Sequence, residues 1–289
     1  MKPTRYIATS LSLVLLAGAA LNSSGCTFAR RVIGKDKLNQ GTLAFNQGKT
    51  AEAKEMFKVT TDLMPDNPTA WLYYGATLFK EFGGASQDDK KAKGQEALNA
   101  YNKALELSGN AKDPCRVRDN AIGYISSIYD QMGESDKHRE WLLKRADGPC
   151  ATDKIKAVTY YSIAVQYWKC AYDQSTRYAD KAKLTSDPFH IRNFYFKPDK
   201  DKFDDCLNKG FEYIEKSLST DPNYIEALSY KSLLYREKQK ASSNEAERKK
   251  FEDEAKKLAE QVIKLTKEQK AKEEAAAAAE AAASASPKK

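Results

Sequence analysis

Two glycines set 34 residues apart, Gly41 and Gly75, open near-matching stretches of this chain, and no other feature narrows the possible folds as much. The stretches read Gly41-Thr-Leu-Ala-Phe45-Asn-Gln-Gly48 and Gly75-Ala-Thr-Leu-Phe79-Lys-Glu-Phe82. Ala53, Phe57 and Pro65 follow the first, and Ala97, Tyr101 and Ala104 follow the second. A fixed period of this size marks repeats that bury their apolar faces only by stacking on their neighbours. Small residues let two antiparallel helices approach closely, and the aromatic residues fill the space between them. The composition agrees: only 14 Gly and 9 Pro punctuate 289 residues, of which 41% are hydrophobic and 30% charged. So few turn residues among so many Ala, Lys and Glu argue for helices and against an all-β sandwich or barrel.

Trp71-x-x-Tyr74-Gly75-x-x-Leu78 resembles the Trp-x-x-Leu-Gly-x-x-Tyr opening of the tetratricopeptide repeat, with Tyr and Leu exchanged. Ala53-x-x-x-Phe57 followed by Pro65 is similar to the second half of that repeat. Three weaker units follow. Ile122, Ser126, Tyr129 and Gly133 open a third, with His138 and Leu142 in its second helix. Val158, Tyr161, Ser162 and Val165 open a fourth, which resumes at Gly210 and Ile214 and ends at Pro222. Leu228, Ser232 and Tyr235 open a fifth, with Ala255, Ala259 and Val262 in its second helix. Asp66-Asn67-Pro68 and Asp221-Pro222-Asn223 supply cap and turn chemistry between pairs. The resemblance implies an all-α, right-handed superhelical solenoid of about five antiparallel helix pairs over residues 34–265. It also implies a concave protein-binding groove lined by the first helix of each pair. Thr42, Asn46, Lys80, Asp130, Gln131, Gln166, Tyr167 and Arg236 are the polar groove candidates on those helices.

Two interruptions stretch the period. Gly83 to Lys91 reads as a solvated loop, because Ala53 and Ala97 are 44 residues apart. Residues 171–205 form an insertion carrying Tyr172, Tyr178, Phe189, Phe194, Tyr195, Phe196 and Phe203, more aromatics than a disordered linker holds. It is either a cover tucked onto the solenoid or a partner-binding arm. In the repeat geometry Cys115 precedes and Cys150 follows the third pair, while Cys170 ends the first helix of the fourth pair and Cys206 begins its second. Those ends meet in an antiparallel pair, so Cys115–Cys150 and Cys170–Cys206 bridges are expected among the three pairings that four cysteines allow.

The first residues read as an address. Lys2 and Arg5 precede an apolar run from Ile7 to Leu21, and small residues end in Ser24-Gly25-Cys26, the layout of a signal peptide over residues 1–25. The run is too short to remain as a membrane span, which takes about 20 apolar residues. Ser24-Gly25-Cys26 resembles the lipobox of bacterial lipoproteins, with Leu21 five residues before the Cys and Ser23 where the family prefers Leu. The resemblance implies an acylated (palmitate-bearing) Cys26, a short linker over 26–33, and an outer-membrane protein facing the periplasm. Cleavage after Ala17-Gly18-Ala19, giving a soluble exported protein, is the alternative. Acylation leaves an even four cysteines for an oxidising compartment.

The remaining motifs exclude more than they add. His138 and His190 are isolated, with no HExxH, phosphate-cradling loop or nucleophile elbow, so no enzyme, metal or cofactor is expected. Asp199 to Asp205 lacks the Gly and distal Glu of a calcium loop. The net charge of +8 is interspersed rather than clustered, which argues against nucleic acid as a partner. The basic group Arg30, Arg31, Lys35 and Lys37 lies beside the N-terminal anchor and suits anionic lipid or cell-wall polymer. After Leu265 the chain has helix propensity without an apolar stripe beyond alanine, a tail over 266–289 that serves as a spacer or as a docking helix. These readings lead to a lipid-anchored envelope scaffold that binds protein or peptide partners. Self-association through the insertion or the tail is the second reading.

Overall fold

In the computed structural model, residues 8–181, 197–242 and 244–285 are described, with side chains described over 27–177, 200–242 and 244–281. Among the described residues the chain is all-α and shows no strand. The helices are α1 (Ala8–Asn46), α2 (Thr50–Leu63), α3 (Pro68–Gly83), α4 (Gln87–Glu106), α5 (Pro114–Gln131), α6 (Ser135–Ala146), α7 (Asp153–Lys181), α8 (Lys197–Thr220), α9 (Ile225–Ala241) and α10 (Glu245–Ala285). They fall into two compact units, one reaching Trp141 and one starting at Leu142, within α6.

In the first unit the 34-residue period is a packing period. Ala53 and Phe57 of α2 are fully buried with Ala44 of α1, and Ala97 and Tyr101 of α4 are fully buried beneath Leu78 and Phe82 of α3. Both period-setting glycines sit under a ring: a Cβ on Gly41 would lie 2.7 Å from Phe57, and one on Gly75 would lie 2.8 Å from Tyr101. Only hydrogen fits at either place, so two positions a period apart do the same mechanical work. The turn that closes the first pair recurs in the third. Gly48 (φ 77°) and Gly133 (φ 74°) adopt the left-handed conformation, and Lys49 N–H to Ala44 O (2.9 Å) matches Glu134 N–H to Tyr129 O (2.9 Å).

Between pairs the cap chemistry works as the sequence implies. Asn67 Oδ1 accepts from the Thr69 and Ala70 N–H groups (3.0 and 3.3 Å), with Pro68 at the first helical position. Asp113 does the same for α5, accepting from Arg116 N–H at 3.0 Å ahead of Pro114. Trp71 Nε1–H donates to the Pro65 carbonyl (2.9 Å), tying α3 to the chain that precedes it.

The second unit pairs α7 with α8 and α9 with α10 around Ala164, Ala171, Phe203, Ile214, Ala227, Leu234 and Leu258. Alanines again allow close approach: Ser217 Oγ reaches the Ala157 carbonyl across α7/α8 (2.7 Å), and Ser232 Oγ reaches the Ala255 carbonyl across α9/α10 (2.9 Å). These helix pairs, with a small residue facing a large one, are the tetratricopeptide-like fold that the repeat implies.

Four expectations change. Gly83 to Lys91 is not a loop: the chain turns only between Gly83 and Gln87, and the extra residues lengthen α4, whose first turn Ser86 caps by accepting from Asp89 N–H (3.3 Å). Residues 26–33 continue α1 rather than forming a linker. The described parts of the insertion are helix, since α7 runs to Lys181 and α8 starts at Lys197, so Cys170 and Cys206 bridge the bodies of the two helices rather than their ends. Phe203 is a fully buried core residue, whereas Tyr178, Phe189 and Phe194 to Phe196 lie outside the residues whose side chains are described, and the choice between cover and arm lies outside them too. Finally, Asp221 closes a turn onto Asn223 N–H (3.1 Å) and α9 starts after Tyr224, which makes no side-chain cap.

Candidate functional site

The first helices of successive pairs in the first unit are α1, α3 and α5. Where α1 and α3 run side by side, Phe45 meets Tyr73 edge-on (6.4 Å between ring centres) and Tyr73 stacks on Phe57 (5.2 Å). The Lys80 ammonium caps this group, 4.1 Å above the centre of the Phe45 ring. Asn46, the next residue after Phe45, is exposed at the same end of α1. Thr42 contributes less to a ligand face, because its hydroxyl already donates to the Leu38 carbonyl (2.8 Å). Behind Lys80, Lys54 of α2 and Glu81 form a partly buried ion pair (2.8 Å) that raises the Lys54 pKa.

Asp130 and Gln131, at the end of α5, do not join Lys80. The Asp130 carboxylate lies 3.2 Å from His138 Nδ1 and so faces the start of α6. Burial lowers the His138 pKa, and the Asp130 charge opposes that shift. Gln131 is exposed at the last residue of its helix.

In the second unit the first helices are α7 and α9, and their seam carries five aromatic side chains in a row. Tyr224 meets Tyr161 edge-on at 5.3 Å, Tyr161 meets Tyr230 at 5.4 Å, Tyr230 meets Trp168 at 5.2 Å, and Trp168 stacks on Tyr172 at 5.4 Å. None of the five is fully buried, and Tyr172 is 41% exposed. Burial, together with the neighbouring Glu226 carboxylate and the facing ring, pushes the Tyr224 hydroxyl up to about 12 and raises that of Tyr161. Both hydroxyls therefore keep their protons at neutral pH and can donate hydrogen bonds.

A buried carboxylate anchors one end of this row. Glu237 of α9, with a side chain only 3% exposed, accepts from Ser175 Oγ of α7 (2.8 Å) and from Lys240 Nζ (2.6 Å). That pairing holds the Lys240 ammonium 5.0 Å from the centre of the Tyr172 ring. Planar or aliphatic groups stack well on such a row, and edge-to-face ring pairs hold it rigid at low entropic cost.

The three groove candidates of this unit lie elsewhere. Tyr167 stacks on Tyr213 of α8 (5.8 Å), with the Lys209 ammonium 5.7 Å away, and so belongs to the α7/α8 side. The charge of Arg236 acts on Glu252 and Lys256 of α10. Gln166 is half-buried one position before Tyr167. The signal that does mark the seam is the spacing of Tyr161, Trp168 and Tyr172, seven and then four residues apart, which is one stripe of a helix.

Among the described residues no group of three His, Cys, Asp or Glu side chains is placed to hold a metal ion. Asp204 and Asp205 pair instead with Lys200 and Lys209 one turn away. Also among the described residues, no helix is long and apolar enough to cross a membrane.

No protein-family model matches the chain, and neither does any curated protein. Solved structures similar to it include the crystal structure of MamA protein, 16% identical over 86% of this chain and 96% of that one, with a TM-score of 0.49. Others are the human IFIT1 dimer with PPP-AAAA (14% identity, 89% and 53% covered, TM-score 0.38) and the P58(IPK) TPR domain (15%, 85% and 68%, 0.33).

Proposed function

We propose that this chain is a lipid-anchored scaffold of the bacterial cell envelope that binds protein or peptide partners on the faces of its first helices. The aromatic row along the α7/α9 seam carries the reading: five rings, each within 5.5 Å of the next, run from the margin of the second unit's core, where Tyr161, Trp168, Tyr224 and Tyr230 are half-buried, to the exposed Tyr172. A bound segment needs rigid apolar faces with a few donors, which such a partly open row offers. Lys80 over Phe45 offers a second, cationic contact point in the first unit. The leader, the Ser24-Gly25-Cys26 ending and the even count of remaining cysteines support acylation of Cys26 and an outer-membrane, periplasm-facing location. The Cys115–Cys150 bridge belongs to the same reading.

The test is affinity capture from envelope extracts with three forms of the chain: wild type, Trp168→Ala plus Tyr172→Ala, and Lys80→Glu. Loss of the captured proteins in the aromatic variant supports the reading, and an unchanged set of partners argues against it. A fatty-acid label that disappears in Cys26→Ala supports the anchor, and one that persists at full intensity removes it.

Self-association is a second reading, favoured by α10. From Thr266 to Glu280 every side chain is exposed, so this helix offers a long stretch that no other helix covers among the described residues. Comparing the solution mass of the delipidated protein with and without residues 266–289 separates the two readings.

A further inference from the structure

The first helix of a stack has one side that no preceding pair covers, and terminal repeats commonly make that side polar. Here it is only partly so. On α1 the core-facing positions are Gly34, Leu38, Gly41 and Ala44, while Phe28, Val32 and Leu43 fall on the opposite stripe at 72%, 51% and 61% exposure, with the exposed Asp36 and Asn39 between Val32 and Leu43. The Phe28 end of the stripe opens onto two adjoining hollows of about 590 and 330 Å³ that share Arg31 and Asp66. Phe28 and Arg30 line the first, and Lys35 and Lys112 line the second. Arg30 is held by the Asp62 carbonyl (2.8 Å) and Arg31 by Asp66 (3.1 Å), both at exposed positions. Lys35 and Lys112 make no ion pair among the described residues. Four cations and a single carboxylate thus line the two hollows, with Phe28 lining the first and Val32 one helical turn further along the same stripe.

We propose that this end of the first unit, Phe28 and Val32 with Arg30, Arg31, Lys35 and Lys112, lies on an anionic phospholipid surface. The two apolar side chains enter the acyl boundary and the cations meet headgroup phosphates, the division of labour of an interfacial helix. A second copy of the chain fits poorly. Opposing two such faces sets a net positive charge against another, four cations and one carboxylate on each, and two apolar side chains fall far short of the roughly 800 Å² per partner of a stable protein interface. The envelope reading supplies the direction from which α1 meets the membrane. The contact itself needs no acyl group.

The chain from Thr27 onward tests this, because no described side chain before Gly34 is buried and the truncated chain keeps every described core contact. Co-sedimentation with vesicles is the measurement. Binding is expected to vesicles of phosphatidylcholine that contain phosphatidylglycerol, and only weakly to phosphatidylcholine alone. Lys35→Gln plus Lys112→Gln is expected to weaken binding roughly thirtyfold, at about fivefold per charge. Phe28→Ser plus Val32→Ser is expected to weaken it as well, with thermal unfolding unchanged because both positions are exposed. Equal binding to both vesicles, wild-type binding by both double variants, or no binding at all would overturn the proposal, as would dimerisation through this face without lipid. Acylation of Cys26 is read separately by its label, so a failed anchor leaves this result intact.

Discussion

The backbone of Gly75 in α3 lies directly against the ring of Tyr101 in α4, so closely that a Cβ would stand 2.8 Å from the ring edge. On its other face the same ring stacks on Tyr124 of α5, 5.0 Å away and nearly parallel. One glycine and one tyrosine therefore join three successive helices. Gly75→Ala forces the ring to move or the helices to part, at about 1–3 kcal/mol for overpacking, less the helix propensity that alanine gains. Gly83→Ala, where nothing lies within 4 Å, is the control and should leave stability unchanged or slightly higher. Chemical denaturation of both variants checks the pair.

The Cys170–Cys206 bridge joins the bodies of α7 and α8 across 36 residues of sequence. In the chain-entropy account a loop of that length contributes about 4 kcal/mol. Cys170→Ser plus Cys206→Ser should lower the denaturation midpoint of the second unit by a corresponding amount. In the unreduced protein none of Cys115, Cys150, Cys170 and Cys206 should react with a thiol reagent, and four reactive thiols would refute both bridges.

Much of this fold is written in residue types, and what is not written has a physical reason. Gly41, Gly75, Ala53, Ala97 and Asn67-Pro68 each do what their spacing implies, because each is dictated by close approach or by a helix start. The length of α4 is hidden: Gln87 to Lys93 is polar on every side, so no apolar period reveals a helix there. Ser86 three residues before Asp89 is a capping signal for its start. The polar groove candidates are legible only in part. Thr42, Asp130, Tyr167 and Arg236 share a position along a first helix, but the direction of each side chain depends on which neighbour takes its polar end. The Leu38 carbonyl, His138, Tyr213 and the charges of α10 take them. The aromatic row was legible as a stripe on α7, and its partners on α9 emerge only once the two helices are side by side.

Glu237 is the buried charge on which the α7/α9 seam depends. Glu237→Ala leaves the Lys240 ammonium, 15% exposed, without its carboxylate, and Ser175 keeps only the Tyr172 carbonyl (3.0 Å) as acceptor. Breaking such a pair from one side should cost about 3 kcal/mol, the low end of the range because Lys240 retains a path to water. Double-mutant comparison with Lys240→Met tests it. The double variant should recover part of the loss, because it removes the uncompensated charge.

The raised pKa of Tyr224 fixes the sign of an alkaline effect. The unfolded hydroxyl titrates near about 10, and the folded one is pushed up to about 12, chiefly by burial. Between those values the unfolded chain gives up a proton that the folded chain keeps, so the stabilising contribution is complete below pH 10 and is lost as pH rises towards 12. Tyr224→Phe should flatten this part of the stability profile and leave the neutral region of the curve nearly unchanged, as thermal unfolding across pH 8–12 would show.

The claim at the centre is that partners bind the α7/α9 seam, and site-specific photo-crosslinking in intact cells tests it most directly. A photoreactive residue in place of Tyr172, 41% exposed at the end of the aromatic row, is compared with one in place of Glu260, exposed on α10. The account predicts discrete protein adducts from position 172 and none of the same mass from position 260. No adduct at 172, or an identical set from both positions, would contradict it.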